Sequence, residues 1–216
     1  MLNQIPPVIR ALLIVNVAVY LLQMVLGDSL TLDFALWPFG EKTGQAPDGS
    51  VVTVGFQIWQ LVTYGFLHSG LPHLFMNMLA LYMLGGAIES ALGSRHFLIY
   101  YFVCVIGAAL AQLVTVEYFT GGFYPTVGAS GGVFGVLLAF ALLFPREKLI
   151  LFPIPIPMPA WLFVTLYGAA ELFFGVTGTV AGVAHFAHLG GMLGGFVLLQ
   201  YWRGKLPFKP RNRLSL

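Results

Sequence analysis

The sequence has few charged side chains for its length. Of its 216 residues, ten are Lys or Arg and eight are Asp or Glu, so charged residues make up 8%, against about 25% in an average soluble domain. Hydrophobic residues reach 58%, and the mean hydropathy is +0.88. So few charged side chains could not cover the surface of a soluble fold of this size. The composition therefore excludes a cytosolic globular enzyme, a nucleic-acid binder and a disordered chain, and it predicts a polytopic membrane protein.

Cysteine is also nearly absent. The single cysteine, Cys104, lies inside an apolar run, so an internal disulfide and a cysteine-based zinc site are both excluded. We expect Cys104 to be a small buried apolar side chain. The apolar stretch after Arg10 lacks small residues suited to signal-peptide cleavage near Leu26, and we interpret this stretch as a retained first span.

Long apolar runs predict six transmembrane helices. Each run approaches the length of about 20 residues that a helix needs to cross a bilayer, and none alternates like a barrel strand. We predict one all-α domain over residues 1–216, a six-helix transmembrane bundle. Its spans cover 7–27, 71–92, 96–117, 127–144, 158–174 and 185–202. Pro145 ends the fourth span, and the prolines of 153–159 predict a stiff extended connector.

The positions of the cations predict the orientation. With the N-terminus inside, Lys42 is the one cation of ten that falls outside, in agreement with the positive-inside rule. We therefore expect an integral protein of a bacterial inner membrane with both termini in the cytoplasm. The basic tail 203–213 would lie at lipid headgroups. The outer segment 28–70 is too apolar for a free loop, and we expect it in the membrane interface or packed on the bundle.

Three polar clusters lie where a membrane protein tolerates polar groups poorly. They begin spans two, four and six, so the predicted topology brings them to a similar depth near the outer face. The clusters are His73 with Asn77 on one helix face, Ser130 in a glycine-rich segment, and His185 with His188. Each residue alone is more often structural. Together they offer a nucleophile, a base and hydrogen-bond donors for an oxyanion.

The acids limit how a serine could be activated. The string Gly128-x-Ser130-x-Gly132 matches the nucleophile elbow of soluble hydrolases, but the preceding strand is lacking and no Asp follows Asp48. A Ser-His-Asp triad is therefore excluded. A catalytic Ser130 would work in a Ser–His dyad, or with Glu171 as an orienting group. We favour the dyad and expect Glu171 to face the outer interface or to pair with a polar neighbour.

Zinc binding is the alternative chemistry. His68, His73, His185 and His188 are all predicted near the outer face, and four imidazoles can bind zinc. The sequence contains no HExxH motif, and no carboxylate shares a helix face with these histidines. Such a site would also leave Ser130 without a role. We expect neither a metal nor an organic cofactor.

These residues resemble the motifs of the rhomboid family of intramembrane serine proteases. Gly128-Ala129-Ser130-Gly131 is similar to the family's GxSG motif, 187–191 to its AHxxG motif, and 73–77 to its HxxxN motif. The resemblance extends from about residue 59 to 195 and includes Trp59 and a GGxxE segment that ends at Glu89. Because no soluble domain precedes the first span, we expect the minimal six-helix prokaryotic form.

The resemblance implies roles for individual residues. Ser130 is the expected nucleophile and His188 the expected general base, and His73, Asn77 and the Ser130 backbone N–H form the expected oxyanion hole. The expected supporting residues are Phe134 beside the imidazole, His185 as a nearby polar group, and Gly128, Gly131 and Gly191 in the motifs. Gln60 stands where the family commonly has arginine, so the anchoring of the first outer loop is expected to differ. Glu89 is expected to cap or brace helices.

The implied activity is cleavage of single-span or polytopic membrane protein substrates near the outer membrane face. Substrates would enter from the bilayer near spans two and five. Two other classes stay open. One is a non-proteolytic scaffold of the same fold that binds membrane proteins or controls their quality. The other is a transporter or channel, although the mid-membrane zone holds almost no ionisable groups.

Overall fold

Helices dominate a computed structural model of the chain, which describes residues 5–45, 49–151, 154–179, 182–208 and 210. Long helices lie at each of the six predicted positions, and two short helices lie in the first outer segment. The α-helices are α1 (Pro7–Leu26), α2 (Ser29–Phe34), α3 (Gln60–Thr63), α4 (Leu71–Leu92), α5 (Ser94–Thr115), α6 (Ser130–Leu143), α7 (Ala160–Thr177) and α8 (His185–Trp202). A 3₁₀ turn (Tyr64–Phe66) follows α3, and a π-helical turn (Val116–Thr120) extends α5.

Four of these helices are long and apolar enough to cross a membrane, namely α1, α4, α5 with its π-helical extension, and α7. With 14 residues, α6 is about 21 Å long at 1.5 Å per residue, which is shorter than a hydrocarbon core of about 30 Å. The 18 residues of α8 include two histidines, four glycines and Gln200, which lower its hydropathy. The chain is therefore a helical membrane protein with four candidate spans, and the count of six stays a prediction.

Two antiparallel hairpins depart from the all-α prediction. β1 (Glu41–Gln45) pairs with β2 (Val51–Gly55) in the outer segment, and β3 (Lys148–Leu151) pairs with β4 (Ile154–Pro159). The Pro-rich connector is extended, as expected, but it is paired. Because proline occupies every second position of β4, the missing N–H groups all lie on one edge, and the other edge can pair with β3. Pro153 lies outside the described residues, as does most of the basic tail beyond Phe208.

Small residues bring α5, α6 and α8 together in the core. A Cβ added to Gly191 of α8 would overlap the Gly131 carbonyl oxygen of α6, and a Cβ on Gly131 would overlap the Ala108 side chain of α5. The predicted close approach of α6 and α8 is confirmed at this contact. Cys104 is fully buried on α5, also as expected. These contacts hold the start of α6 against the start of α8.

The outer segment packs onto the bundle through a short stretch after α2. Leu36 is buried, and its backbone exchanges two hydrogen bonds with Thr126, of 3.0 and 2.9 Å. Gln60 is 1% exposed, and its side-chain oxygen accepts hydrogen bonds from the backbone N–H groups of Trp37 and Gln57, at 3.2 and 3.1 Å. Although uncharged, Gln60 therefore anchors this segment from inside.

Glu89 joins three helices at the opposite end of α4. Its carboxylate accepts hydrogen bonds from the Val8 and Ile9 N–H groups at 3.0 and 2.9 Å and from the Ser94 hydroxyl at 2.7 Å. The first N–H groups of a helix lack intrahelical partners, and a carboxylate satisfies them well. The predicted bracing role of Glu89 is confirmed, since this side chain fixes the start of α1 against α4 and α5.

Candidate active site

Ser130 is the first residue of α6. The turn before it contains Gly128, whose φ of +131° is a conformation that glycine adopts without strain. The helical hydrogen bonds begin with the Val133 N–H, which donates to the Ala129 carbonyl at 3.0 Å. The backbone N–H of Ser130 therefore has no intrahelical acceptor. Ser130 offers a hydroxyl and a backbone donor at the same point.

The hydroxyl of Ser130 meets the imidazole of His188. Their Oγ and Nε2 atoms are 2.8 Å apart, although the residues lie 58 positions apart in the sequence. His188 is on the first turn of α8 and is 9% exposed, while Ser130 is half-buried. The structure thus brings together the pair that the sequence singled out as nucleophile and base.

The His188 ring is held on its face and at its second nitrogen. Phe134, one turn after Ser130, stacks on the imidazole with ring centroids 4.1 Å apart and planes 6° apart. The Nδ1 atom of His188 is 2.9 Å from the Oε2 atom of Glu171. Both contacts restrict rotation of the ring and keep Nε2 directed at Ser130.

Glu171 pairs with polar neighbours, which is one of the two positions that the sequence predicts for it. It is buried on α7, with its Oε2 atom 2.7 Å from His185 Nδ1 and 2.9 Å from His188 Nδ1. The contact with His188 is the one that an orienting group would make, which is the alternative to the favoured dyad. The sequence contained the polar pairing but not its partners, because the rotation of α7 relative to α8 is set by packing.

The two expected oxyanion donors lie on the first turns of α4. The His73 ring faces the turn before Ser130, since a Cβ added to Gly128 would lie 2.9 Å from His73 Nε2 and 3.7 Å from Ser130 Oγ. The side-chain amide nitrogen of Asn77 donates to the His73 carbonyl at 2.9 Å, which uses one of its two N–H groups. The other N–H stays available for a ligand.

Ser69 sets the tautomer of His73 and was missed by the sequence analysis. Its backbone N–H donates to His73 Nδ1 at 3.4 Å, and its hydroxyl lies 3.0 Å from the same atom. Because a backbone N–H only donates, Nδ1 of the neutral ring must accept, and the ring hydrogen lies on Nε2. The spacing of four between the two residues is the one sequence signal that could have identified Ser69.

Glu171 and the two histidines of α8 form a cluster that could hold a cation. Among the described residues, Glu171, His185 and His188 have donor atoms within 4.8 Å of one another, close enough to share a metal ion. The zinc alternative groups four histidines, but this cluster contains only His185 and His188 of the four, whereas His68 and His73 pack edge-on against each other with ring centroids 5.1 Å apart. Hydrogen bonds to Glu171 account for the positions of both imidazoles without an ion.

Comparisons with known proteins identify the family of the chain. A family model described as the rhomboid domain matches residues 55–204. Rhomboid protein 1, mitochondrial, of Saccharomyces cerevisiae is 34% identical over 161 residues, which are 71% of this chain and 44% of the yeast protein. Rhomboid protease GluP of Bacillus subtilis is 32% identical over 153 residues, which are 70% of this chain and 27% of GluP.

A third relative covers more of the chain. Rhomboid protease GlpG of Yersinia pseudotuberculosis is 25% identical over 200 residues, which are 93% of this chain and 64% of GlpG. The chain thus spans between about a quarter and two thirds of the length of these relatives. Residues 55–204, which the family model matches, contain Ser130, His188 and the helices that carry them. The family model covers well over half of the sequence, and the chain belongs to the rhomboid family.

Proposed function

We propose that this chain is an intramembrane serine endopeptidase that uses Ser130 as nucleophile and His188 as general base. The observation that carries the proposal is the 2.8 Å contact between Ser130 Oγ and His188 Nε2. Membership of the rhomboid family, in which the relatives GluP and GlpG are named proteases, supports the same activity.

The reaction begins with proton transfer inside this pair. His188 Nε2 takes the hydroxyl proton as Ser130 Oγ attacks the scissile carbonyl carbon, and the carbonyl oxygen becomes an oxyanion. The protonated imidazole then gives its proton to the leaving amine as the peptide bond breaks. Water hydrolyses the acyl-enzyme by the same path, and His188 again acts first as base and then as acid.

Three donors are available to stabilise the oxyanion. They are the backbone N–H of Ser130, which has no intrahelical acceptor, the Nε2–H of His73 and the second amide N–H of Asn77. Fixed donors stabilise the transition state without reorganising during the reaction. Loss of one such donor costs about 3 kcal/mol, or about a hundred-fold in rate.

The length of α6 suits a site inside the membrane. If the end of α6 at Leu143 lies at the inner face, its 14 residues reach about 21 Å into a core of about 30 Å. Ser130 would then lie about 10 Å below the outer face. We propose that substrates are transmembrane proteins, cut near the outer face of a bacterial inner membrane, with both termini of the enzyme in the cytoplasm.

The decisive experiment uses the purified chain in detergent with a model single-span membrane protein as substrate. We expect cleavage by the wild type and loss of activity by a factor of about 10⁴ or more in Ser130→Ala and His188→Ala. The matched controls are Ser90→Ala and His96→Ala. Ser90→Ala removes an exposed hydroxyl, and His96→Ala removes an imidazole near the start of α5 that lies against Trp202, at the end of α8 away from His188. Both controls should cleave like the wild type.

Covalent labelling separates the enzyme from a non-proteolytic scaffold. A fluorophosphonate reagent should label the wild type at Ser130 and should leave Ser130→Ala unlabelled. Wild-type cleavage by Ser130→Ala would refute the assignment of the nucleophile. A folded wild type that neither cleaves substrate nor takes up the label would instead favour the scaffold function.

A further inference from the structure

The buried carboxylate behind His188 is a group that a Ser–His dyad leaves without a use. Glu171 is 4% exposed, and its Oε2 atom contacts the Nδ1 atoms of both His185 and His188. A buried carboxylate is costly unless it is hydrogen-bonded or paired. Among the residues that the structure describes, the two imidazoles supply its hydrogen bonds, and one of them contacts Ser130.

We propose that Glu171 is a positioning residue that holds the ring hydrogen of His188 on Nδ1 and balances the positive charge that the ring gains in the reaction. This inference rests on the function proposed above for Ser130 and His188. It extends the dyad to a Ser130–His188–Glu171 triad whose acid comes from a third helix, α7.

The first part of the argument concerns the tautomer. An ionised carboxylate only accepts hydrogen bonds, so the His188 Nδ1 atom, 2.9 Å from Glu171 Oε2, carries the hydrogen. The Nε2 atom of the neutral ring then has a free lone pair, and this atom is 2.8 Å from Ser130 Oγ. The opposite tautomer would place a hydrogen on Nε2 and could not accept the serine proton.

The second part concerns charge. When His188 takes the proton of Ser130, an imidazolium forms at a site that is 9% exposed. Water solvates such a cation poorly, and an adjacent carboxylate lowers its free energy. Glu171 keeps its own charge throughout, so the proton passes only between Ser130, His188 and the leaving amine.

His185 supports the same triad. Its Nδ1–H donates to the Oε2 atom that His188 uses, at 2.7 Å, and both histidines begin α8 one turn apart. The second donor helps to keep the buried carboxylate ionised and fixes its orientation. We therefore expect His185→Ala to weaken activity less than a change of Glu171 does.

The test compares Glu171→Gln with Glu171→Asp and the wild type. Glutamine keeps the size but loses the charge, and we expect kcat to fall by about a hundred-fold or more with KM nearly unchanged. Glu171→Asp should restore part of the activity. Glu117→Gln, an exposed acid on the π-helical turn, is the matched control and should behave like the wild type.

A second readout does not depend on proteolysis. The chain has five histidines, so ¹⁵N spectra of histidine-labelled protein can be assigned by comparison with His188→Ala. We expect His188 to show a protonated Nδ1 and an unprotonated Nε2, both in the wild type and in Ser130→Ala. In Glu171→Gln this preference should be lost.

The two readouts distinguish failure of this inference from failure of the proposed function. An unprotonated Nδ1 of His188 in the wild type, or a wild-type kcat in Glu171→Gln, would overturn the role of Glu171. A fully active Ser130→Ala would overturn the proposed function. A folded Glu171→Gln that loses activity but keeps the wild-type tautomer would also refute the positioning role.

Discussion

At the scale of single residues, the site holds two histidines in opposite protonation patterns. Glu171 accepts from His188 Nδ1, which leaves Nε2 of that ring as an acceptor for Ser130. Ser69 donates to His73 Nδ1, which leaves Nε2 of that ring as a donor. On the proposed function, the same type of side chain would provide a base in one place and an oxyanion donor in the other, because the partner of its Nδ1 atom differs.

The Ser69 contact leads to a prediction. Ser69→Ala removes the hydroxyl 3.0 Å from His73 Nδ1 and keeps the weaker backbone donor at 3.4 Å. We expect kcat to fall by about three- to ten-fold, less than for loss of a whole oxyanion donor, because the tautomer is only partly released. Ser90→Ala is the control for removal of a hydroxyl. A Ser69→Ala variant with full activity would show that the backbone donor alone suffices.

At the scale of helices, glycine residues determine how closely Ser130 and His188 can approach each other. A Cβ on Gly191 would overlap the Gly131 carbonyl, and backbone is not free to move away as a flexible side chain is. With such a Cβ, the start of α8 would have to lie farther from α6. The Ser130–His188 contact therefore depends on residues that have no side chain.

Substitution of these glycines separates packing from helix propensity. Gly191→Ala should lower the free energy of unfolding by about 1–3 kcal/mol, because the added methyl group forces α6 and α8 apart. Gly168→Ala is the matched control, since its Cβ would meet only Met192 at 3.9 Å. We expect it to keep or raise stability by up to about 1 kcal/mol. Thermal unfolding in detergent measures both, and equal stability of the two variants would contradict the packing argument.

The positions of the helices could be predicted from the sequence more readily than the contacts between elements. Apolar runs bounded by charges and prolines placed all of the long helices, and motif spacing identified Ser130, His188, His73 and Asn77. The hairpins were missed because β1 is polar and exposed throughout and β4 has proline at every second position, so neither segment has the pattern of an ordinary strand. The partners of Glu171 could not be predicted for a different reason, since only packing determines which face of α7 meets α8.

At the scale of the whole molecule, a buried histidine links stability to pH. His68 lies between the 3₁₀ turn and α4 and is 3% exposed. Burial, and then the nearby charge of His73, lower the pKa of His68 from 6.5 to about 4. Between these two values the unfolded chain binds the proton and the folded chain does not, so stability falls as the pH decreases across this window.

The expected loss is at most about 3 kcal/mol between pH 6.5 and pH 4. Thermal unfolding in detergent should show a midpoint that decreases over this range in the wild type and decreases less steeply in His68→Gln. His96→Gln removes an imidazole elsewhere and is the control, which we expect to follow the wild type. Equal slopes for His68→Gln and the wild type would assign the acid sensitivity to other groups.

The helix that carries Glu171 buries few of its described side chains. In α7 the buried residues are Ala160, Val164 and Glu171, and only the last lies near the site. A sideways shift of α7 by about an ångström would stretch both contacts of Glu171 beyond hydrogen-bonding range. Ser130 and His188 would then still touch, but without a counter-charge for the ring. On the function proposed above, the placement of this one helix would therefore govern how well the protonated ring is stabilised, with every reacting atom left in place.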